Sequence, residues 1–120
     1  LGSGCLGEGS ADEPLLIFGD ASGGADTIDS RLRRVGVAIT VCISFSPFVL
    51  GPHLLGSLCG TEQTVPRGEL RGLEIAIRFS LGAIVYTTDC DEVCRGWWAG
   101  LAQRPSGINA DIWREMGGEL

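Results

Sequence analysis

The chain has 120 residues, room for one domain with a real core and little more. Nine basic residues, all of them arginine, stand against fifteen acidic ones. The net charge of −6 argues against tight, non-specific nucleic-acid binding. It leaves room for a nucleic-acid enzyme, because bound cations cancel part of the charge at the site itself.

The first 13 residues are rich in Gly and Ser and acidic, and read as a flexible N-terminal segment or linker. The domain proper is expected over residues 14–120. Residues 14–19 form a continuous apolar run, the pattern of a strand buried on both faces, with Asp20 at its carboxyl end. A polar loop follows. Ser22, Gly23 and Gly24 turn sharply there and let a nucleic-acid backbone approach closely, while Arg31, Arg33 and Arg34 form the only basic cluster. That cluster reads equally well as a solvated loop.

Val35, Val37, Ile39, Val41 and Ile43 alternate with smaller or polar residues, the signature of a half-buried strand. Ser46-Pro47 and Gly51-Pro52 bracket a turn, and residues 53–60 read as the returning strand of a hairpin. Pro66 suits a first helical turn. Leu70, Leu73, Ile77 and Leu81 then make one apolar stripe, and Gly82 is placed to end the helix. Glu69 lies in the first turn at the edge of that stripe, where the helix dipole alone would favour an acid.

Residues 83–88 form a second buried strand, parallel to the first because a helix connects them. Asp89 follows, and could simply cap the helix predicted over residues 91–101. Ligands in such sheets gather beyond the carboxyl ends of strands. Asp20 and Asp89 are both expected there, and bare carboxylates at close range repel unless a cation or proton intervenes. With Glu69 they make a three-carboxylate set of the kind that holds divalent metal for phosphoryl chemistry.

The five cysteines, Cys5, Cys42, Cys59, Cys90 and Cys94, are odd in number and irregularly spaced. Cys90 and Cys94 share a helix face, but the single histidine, His53, is remote, so zinc is disfavoured. Buried or half-buried thiols in a reducing, intracellular compartment (cytoplasm or nucleus) are the simpler reading. No run approaches the roughly 18 apolar residues of a membrane span, and no basic leader opens the chain. The absence of a starting methionine points to a fragment or a processed product.

Across residues 14–116 the chain resembles the type 1 ribonuclease H family. The resemblance rests on the apolar strand ending in Asp20 and on Arg33-Arg34-Val35-Gly36. Gln63-Thr64, Arg67-Gly68-Glu69-Leu70, Thr88-Asp89 with Val93 and Gly96-Trp97, and Asn109-Ala110-Asp111-Ile112-Trp113 complete it. A retroelement-derived member, of the kind found beside reverse transcriptases as one part of a longer protein, is compatible with it.

The resemblance implies an α/β fold with a mixed five-stranded sheet in order 3-2-1-4-5, strands one to three antiparallel, flanked by helices. It implies hydrolysis of the RNA strand of RNA/DNA hybrids, with Asp20, Glu69 and Asp89 as catalytic metal ligands for two Mg²⁺ ions, which Mn²⁺ can replace. Ser22, Thr64, Arg67 and Asn109 are implied as nucleic-acid contacts, and Trp97 and Trp98 fall where the family has groove aromatics. Packing of their helix on the sheet explains the tryptophans equally well.

The departures are specific. The family's fourth aspartate and nearby histidine belong to a segment past Leu120, so the fifth strand and last helix are expected to be missing. Strand four would then be an exposed edge. Asp111 matches a helix-start aspartate and is expected to cap. Val65-Pro66 replaces polar amides, Glu62 stands where a phosphate-binding arginine is common, and no basic protrusion lies between Arg104 and Asn109. These changes predict weak hybrid binding. The alternatives are a catalytically silent ribonuclease H-like module with a structural or nucleic-acid-binding role and, less well matched, an exonuclease or integrase of the same fold.

Overall fold

The structure, a computed structural model, describes residues 4–24, 33–45 and 47–120. Arg31 with the centre of the polar loop, and Ser46 of the expected turn, lie outside the described residues. The elements in chain order are β1 (Gly7–Gly9), β2 (Leu15–Ser22), β3 (Gly36–Phe45), β4 (Phe48–Ser57), α1 (Val65–Arg78), β5 (Ser80–Gly82), β6 (Ile84–Thr87), α2 (Asp91–Trp98) and α3 (Ala110–Glu119).

A four-stranded mixed sheet runs in the order β4-β3-β2-β6. β2, β3 and β4 are antiparallel, with Ile17 opposite Val41 and Asp20 opposite Ala38. β6 is parallel to β2, from Leu15 opposite Ile84 to Phe18 opposite Thr87. The alternation read from β3 is what buries Val37, Ile39 and Val41 on one face. Among the described residues nothing pairs with the outer edge of β6. A cleft of about 400 Å³ runs beside it, lined by Leu73, Ile77, Tyr86, Val93, Trp97 and Leu120 among others.

The hairpin is tighter than expected. β4 begins at Phe48, so Gly51 and Pro52 lie inside the strand rather than in a turn. The register slips between Thr40 opposite His53 and Cys42 opposite Leu50, which places Gly51-Pro52 in a bulge. Because β4 is an edge strand, a proline there interrupts little of the ladder.

The N-terminal segment also departs from its reading as a flexible linker. Leu6 is buried, its N–H bonds to the Phe79 carbonyl at 2.9 Å, and β1 pairs in parallel with β5. This pairing accounts for the early end of α1. Backbone partners from β1 capture residues 79–82, so the helix stops at Arg78 and Leu81 lies 44% exposed in β5 instead of in the helical stripe. Gly82 is required, though not as a helix cap. Its φ is +75°, and a Cβ there would sit 2.0 Å from the Gly9 carbonyl oxygen.

α1 is buried on two sides. Leu70 and Leu73 pack with Val93 of α2 and Ile112, Trp113 and Met116 of α3. The side against the sheet is made of Gly68, Gly72 and Ala76, at helical spacing. A Cβ on Gly68 would come within 2.5 Å of Val35, so the small residues let the helix lie close on β2 and β3. Its polar margin clamps α3. Glu74 is fully buried between Arg71 at 2.8 Å and Arg78 at 2.6 Å, and these arginines reach Glu115 at 2.6 Å and Glu119 at 3.0 Å. Among the described residues no helix is long and apolar enough to cross a membrane.

Candidate metal centre

Parallel strands end on the same side of a sheet. β6 pairs with β2 only as far as Thr87, while β2 continues to Ser22 against β3. Asp20 therefore lies on the stretch of β2 that β6 no longer covers, two residues short of the strand's end. Asp89 lies just past the end of β6. α1 crosses at the same level and brings in Glu69, and one carboxylate oxygen from each of the three residues lies within 4.8 Å of the other two. Among the described residues this is the one group of three or more acidic, histidine or cysteine side chains close enough to share a cation.

The three acids are not equivalent. Glu69 is 4% exposed, whereas Asp20 and Asp89 face solvent. α1 starts at Val65, so Glu69 is its fifth residue and lies past the first turn, where the helix dipole gives it little support. Its Oε1 accepts the Ala21 N–H at 3.1 Å and its Oε2 accepts the Thr88 hydroxyl at 3.1 Å. Burial pushes its pKa up, the two hydrogen bonds oppose that, and the neighbouring Asp20 carboxyl adds to the rise. A carboxylate held in this way favours a proton or a cation beside it. An all-oxygen donor set suits a hard divalent ion, so the residues present fit such a metal.

Asp89 does not cap α2. The N-cap is Cys90, whose N–H bonds to the Thr88 hydroxyl at 3.1 Å, and burial pushes the Cys90 thiol up. Thr88 thus fixes both Glu69 and the start of α2, a role the sequence reading did not assign. The signal available was its place immediately before Asp89. Tyr86, two residues earlier on β6, has its pKa raised by burial first and then by the charges of Glu69 and Asp20. Its hydroxyl is buried and finds no partner among the described residues.

Three of the four expected nucleic-acid contacts meet where α1 and α3 begin. Thr64 is the N-cap of α1 and accepts the Arg67 N–H at 3.3 Å. The Arg67 guanidinium donates to Asn109 Oδ1 at 3.0 Å and to both Asp111 oxygens at 3.0 and 2.7 Å. Asn109 is the N-cap of α3 in a left-handed conformation, with φ of 65° and no side-chain cap bond. Asp111 is accordingly an ion-pair partner and not a cap, and Arg67 holds its carboxyl down at about 2. Ser22 lies apart at the end of β2, its hydroxyl accepting the Gly24 N–H at 3.4 Å. Glu62 is exposed and adds negative charge near Arg67.

Trp98 is 85% exposed and Trp97 partly so; the tryptophan that packs the helices together is Trp113, against Gly96. Of the cysteines, Cys42 is buried and Cys90 half-buried, while Cys5, Cys59 and Cys94 are exposed, and all five are free thiols. His53 sits exposed on β4 and has no part in the carboxylate cluster.

No protein-family model matches the chain, and no curated protein matches it in sequence. Solved structures do match it in fold. One is the foamy viral protease-reverse transcriptase in complex with RNA/DNA hybrid, at a TM-score of 0.64 and 14% identity over 88% of this chain. Another is the foamy viral protease-reverse transcriptase in complex with dsDNA, at a TM-score of 0.64 and 17% identity, again over 88% of this chain. This chain spans 15% of the length of the first and 73% of the second. At such identities the likeness is one of fold: a mixed α/β domain similar to part of a viral protease-reverse transcriptase chain.

Proposed function

We propose that this chain is a ribonuclease H-like endoribonuclease that hydrolyses the RNA strand of RNA/DNA hybrids. In this reading Asp20, Glu69 and Asp89 hold two Mg²⁺ ions, with Mn²⁺ able to substitute. The observation that carries it is the convergence of three carboxylates, one of them buried, at the carboxyl-terminal side of two parallel strands. The fold likeness to a protease-reverse transcriptase solved with RNA/DNA hybrid and with dsDNA supports a nucleic-acid substrate. In the same reading, residues 14–120 carry the ribonuclease H-like elements, with β1 packed on them as an addition, and β4-β3-β2-β6 occupies the first four places of the order 3-2-1-4-5.

Such ions, when bound, supply an activated water and stabilise the leaving 3′ oxygen, so the products carry 5′ phosphates. The chain's own share is positional. Asp20 and Asp89 offer exposed oxygens, while Thr88 and the Ala21 N–H fix the orientation of Glu69 from behind. Ser22, Thr64, Arg67 and Asn109 contact nucleic acid. A linked reverse transcriptase or other domain is the natural setting for such a unit.

A second reading, a catalytically silent nucleic-acid-binding or structural module, is favoured by one observation. Arg67 is already neutralised by Asp111, with Glu62 close by. The test is cleavage of a labelled RNA/DNA hybrid with Mg²⁺ or Mn²⁺, beside RNA/RNA and DNA/DNA duplexes and with Asp20→Asn as control. Hybrid-only cleavage that the control abolishes supports the enzyme. Hybrid binding without cleavage supports the silent module.

A further inference from the structure

Gly19 and Gly72 belong to different elements, and each neighbours a proposed metal ligand. Gly19 immediately precedes Asp20 on β2, and Gly72 lies three residues after Glu69 on α1, on the same helical side. Both glycines are needed for the same reason, which is Tyr86. A Cβ on Gly19 would fall 1.6 Å from the Tyr86 hydroxyl oxygen and 2.4 Å from Cζ, and a Cβ on Gly72 would fall 2.9 Å from that oxygen. A glycine inside a strand weakens it and often marks a close approach. Here the approaching group is a phenol inserted from β6, on the same strand face as Thr88 two residues on, which bonds to Glu69.

We propose that Tyr86 is a positioning residue of the carboxylate centre: its phenol, inserted hydroxyl first into the gap left by Gly19 and Gly72, sets the separation of β2 and α1 at the level where Asp20 and Glu69 meet. The inference rests on the metal-site reading for its consequence, though not for its geometry. The phenol acts as bulk: its hydroxyl oxygen is the atom nearest both glycines, and that oxygen finds no hydrogen-bond partner among the described residues. Tyr86 also packs against both core clusters, the one between β2, β3 and α1 and the one between the helices. A metal site held only an ångström too loosely loses much of its affinity.

The test is Mn²⁺ calorimetry on the full chain, with the urea midpoint of every variant measured alongside. Tyr86→Phe keeps most of the bulk but removes the oxygen nearest both glycines, and is expected to weaken Mn²⁺ binding about threefold, less than Tyr86→Leu. Tyr86→Leu and Gly19→Ala are each expected to weaken binding about tenfold. The double variant Gly19→Ala/Tyr86→Leu is expected to bind at least about threefold more tightly than Gly19→Ala alone, because the smaller side chain vacates the space the new methyl takes. Tyr86→Met replaces the leucine variant if that one does not fold. Parent-like Mn²⁺ binding by Tyr86→Leu, whatever its stability, overturns the proposal, as does a double variant no better than Gly19→Ala.

A metal-free arm separates this inference from the metal reading. Asp20→Asn relieves repulsion with Glu69, and should raise the urea midpoint more in the parent than in Tyr86→Leu, where the two carboxyls are freer to part. Equal rises overturn the spacing role. A parent that shows the coupling but binds no Mn²⁺ refutes the metal reading and upholds the spacing.

Discussion

The ion cluster under α1 gives the sharpest test of what holds the helices together. Glu74 is 0% exposed and lies between Arg71 and Arg78 at 2.8 and 2.6 Å. Removing one partner of a fully buried pair costs about 3–5 kcal/mol, mostly by leaving charge uncompensated. Here the arginine side chains are 22% and 42% exposed and keep Glu115 and Glu119, so solvent and those acids absorb part of the loss. Glu74→Gln should therefore destabilise the fold by about 2 kcal/mol, a large share of a typical 5–15. With a urea slope of about 1–2 kcal/mol per molar, the midpoint at pH 7 should fall by about 1 M or more.

The pH dependence adds a sign. Burial opposes the ionisation of Glu74, while Glu119, Arg71 and Arg78 favour it, and the balance lowers its pKa. A lowered carboxyl stabilises the fold above the unfolded value of about 4.3, and that stabilisation is lost as pH falls through the folded one. Parent and variant should converge in acid. A midpoint within about 0.3 M of the parent at pH 7, or a difference that widens on acidification, would refute this reasoning.

The other expectations concern the site and the helix contacts. The raised pKa of Glu69 means that stability of the metal-free chain declines as pH rises from the unfolded carboxyl value through the folded one. Millimolar Mn²⁺ should accordingly raise Tm more at pH 7.5 than at pH 5.5 in a thermal scan, because the ion replaces a proton; an equal rise would contradict it. Gly96→Ala sets a methyl about 2.3 Å from Trp113 Cζ2 and should cost about 1–3 kcal/mol in urea unfolding, with altered tryptophan fluorescence. Arg67→Met should cost about 1 kcal/mol, since Asp111 is half exposed, and NMR titration should find the Asp111 carboxyl back in the ordinary range from about 2.

Much of the sheet and the site was legible because the relevant signals are local. The β3 alternation, the apolar runs of β2 and β6, and carboxylates at or just past strand ends can each be read within ten residues. What escaped was set by contacts far apart in sequence. Gly7–Gly9 has no periodicity, so its pairing with Ser80–Gly82, and with it the true end of α1, could not be read from either segment. The sheet-facing side of α1 is Gly68, Gly72 and Ala76, which hydrophobic periodicity does not register, so the leucine stripe stood alone although it faces the other helices. Asp111 looked like a cap from its place at a helix start, and only the fold brings Arg67 to it across 44 residues. Tyr86 read as an ordinary strand residue because the glycines that accommodate it lie on two other elements.

The most direct test of the central claim is the chemistry of the cut ends. A 5′-labelled RNA strand annealed to DNA, incubated with the chain and Mg²⁺ or Mn²⁺, should yield fragments with 3′ hydroxyls and new 5′ phosphates, and none with Asp89→Asn. Fragments ending in cyclic phosphates, equal cleavage by the variant, or an intact hybrid after incubation with folded protein would contradict a carboxylate-held metal mechanism.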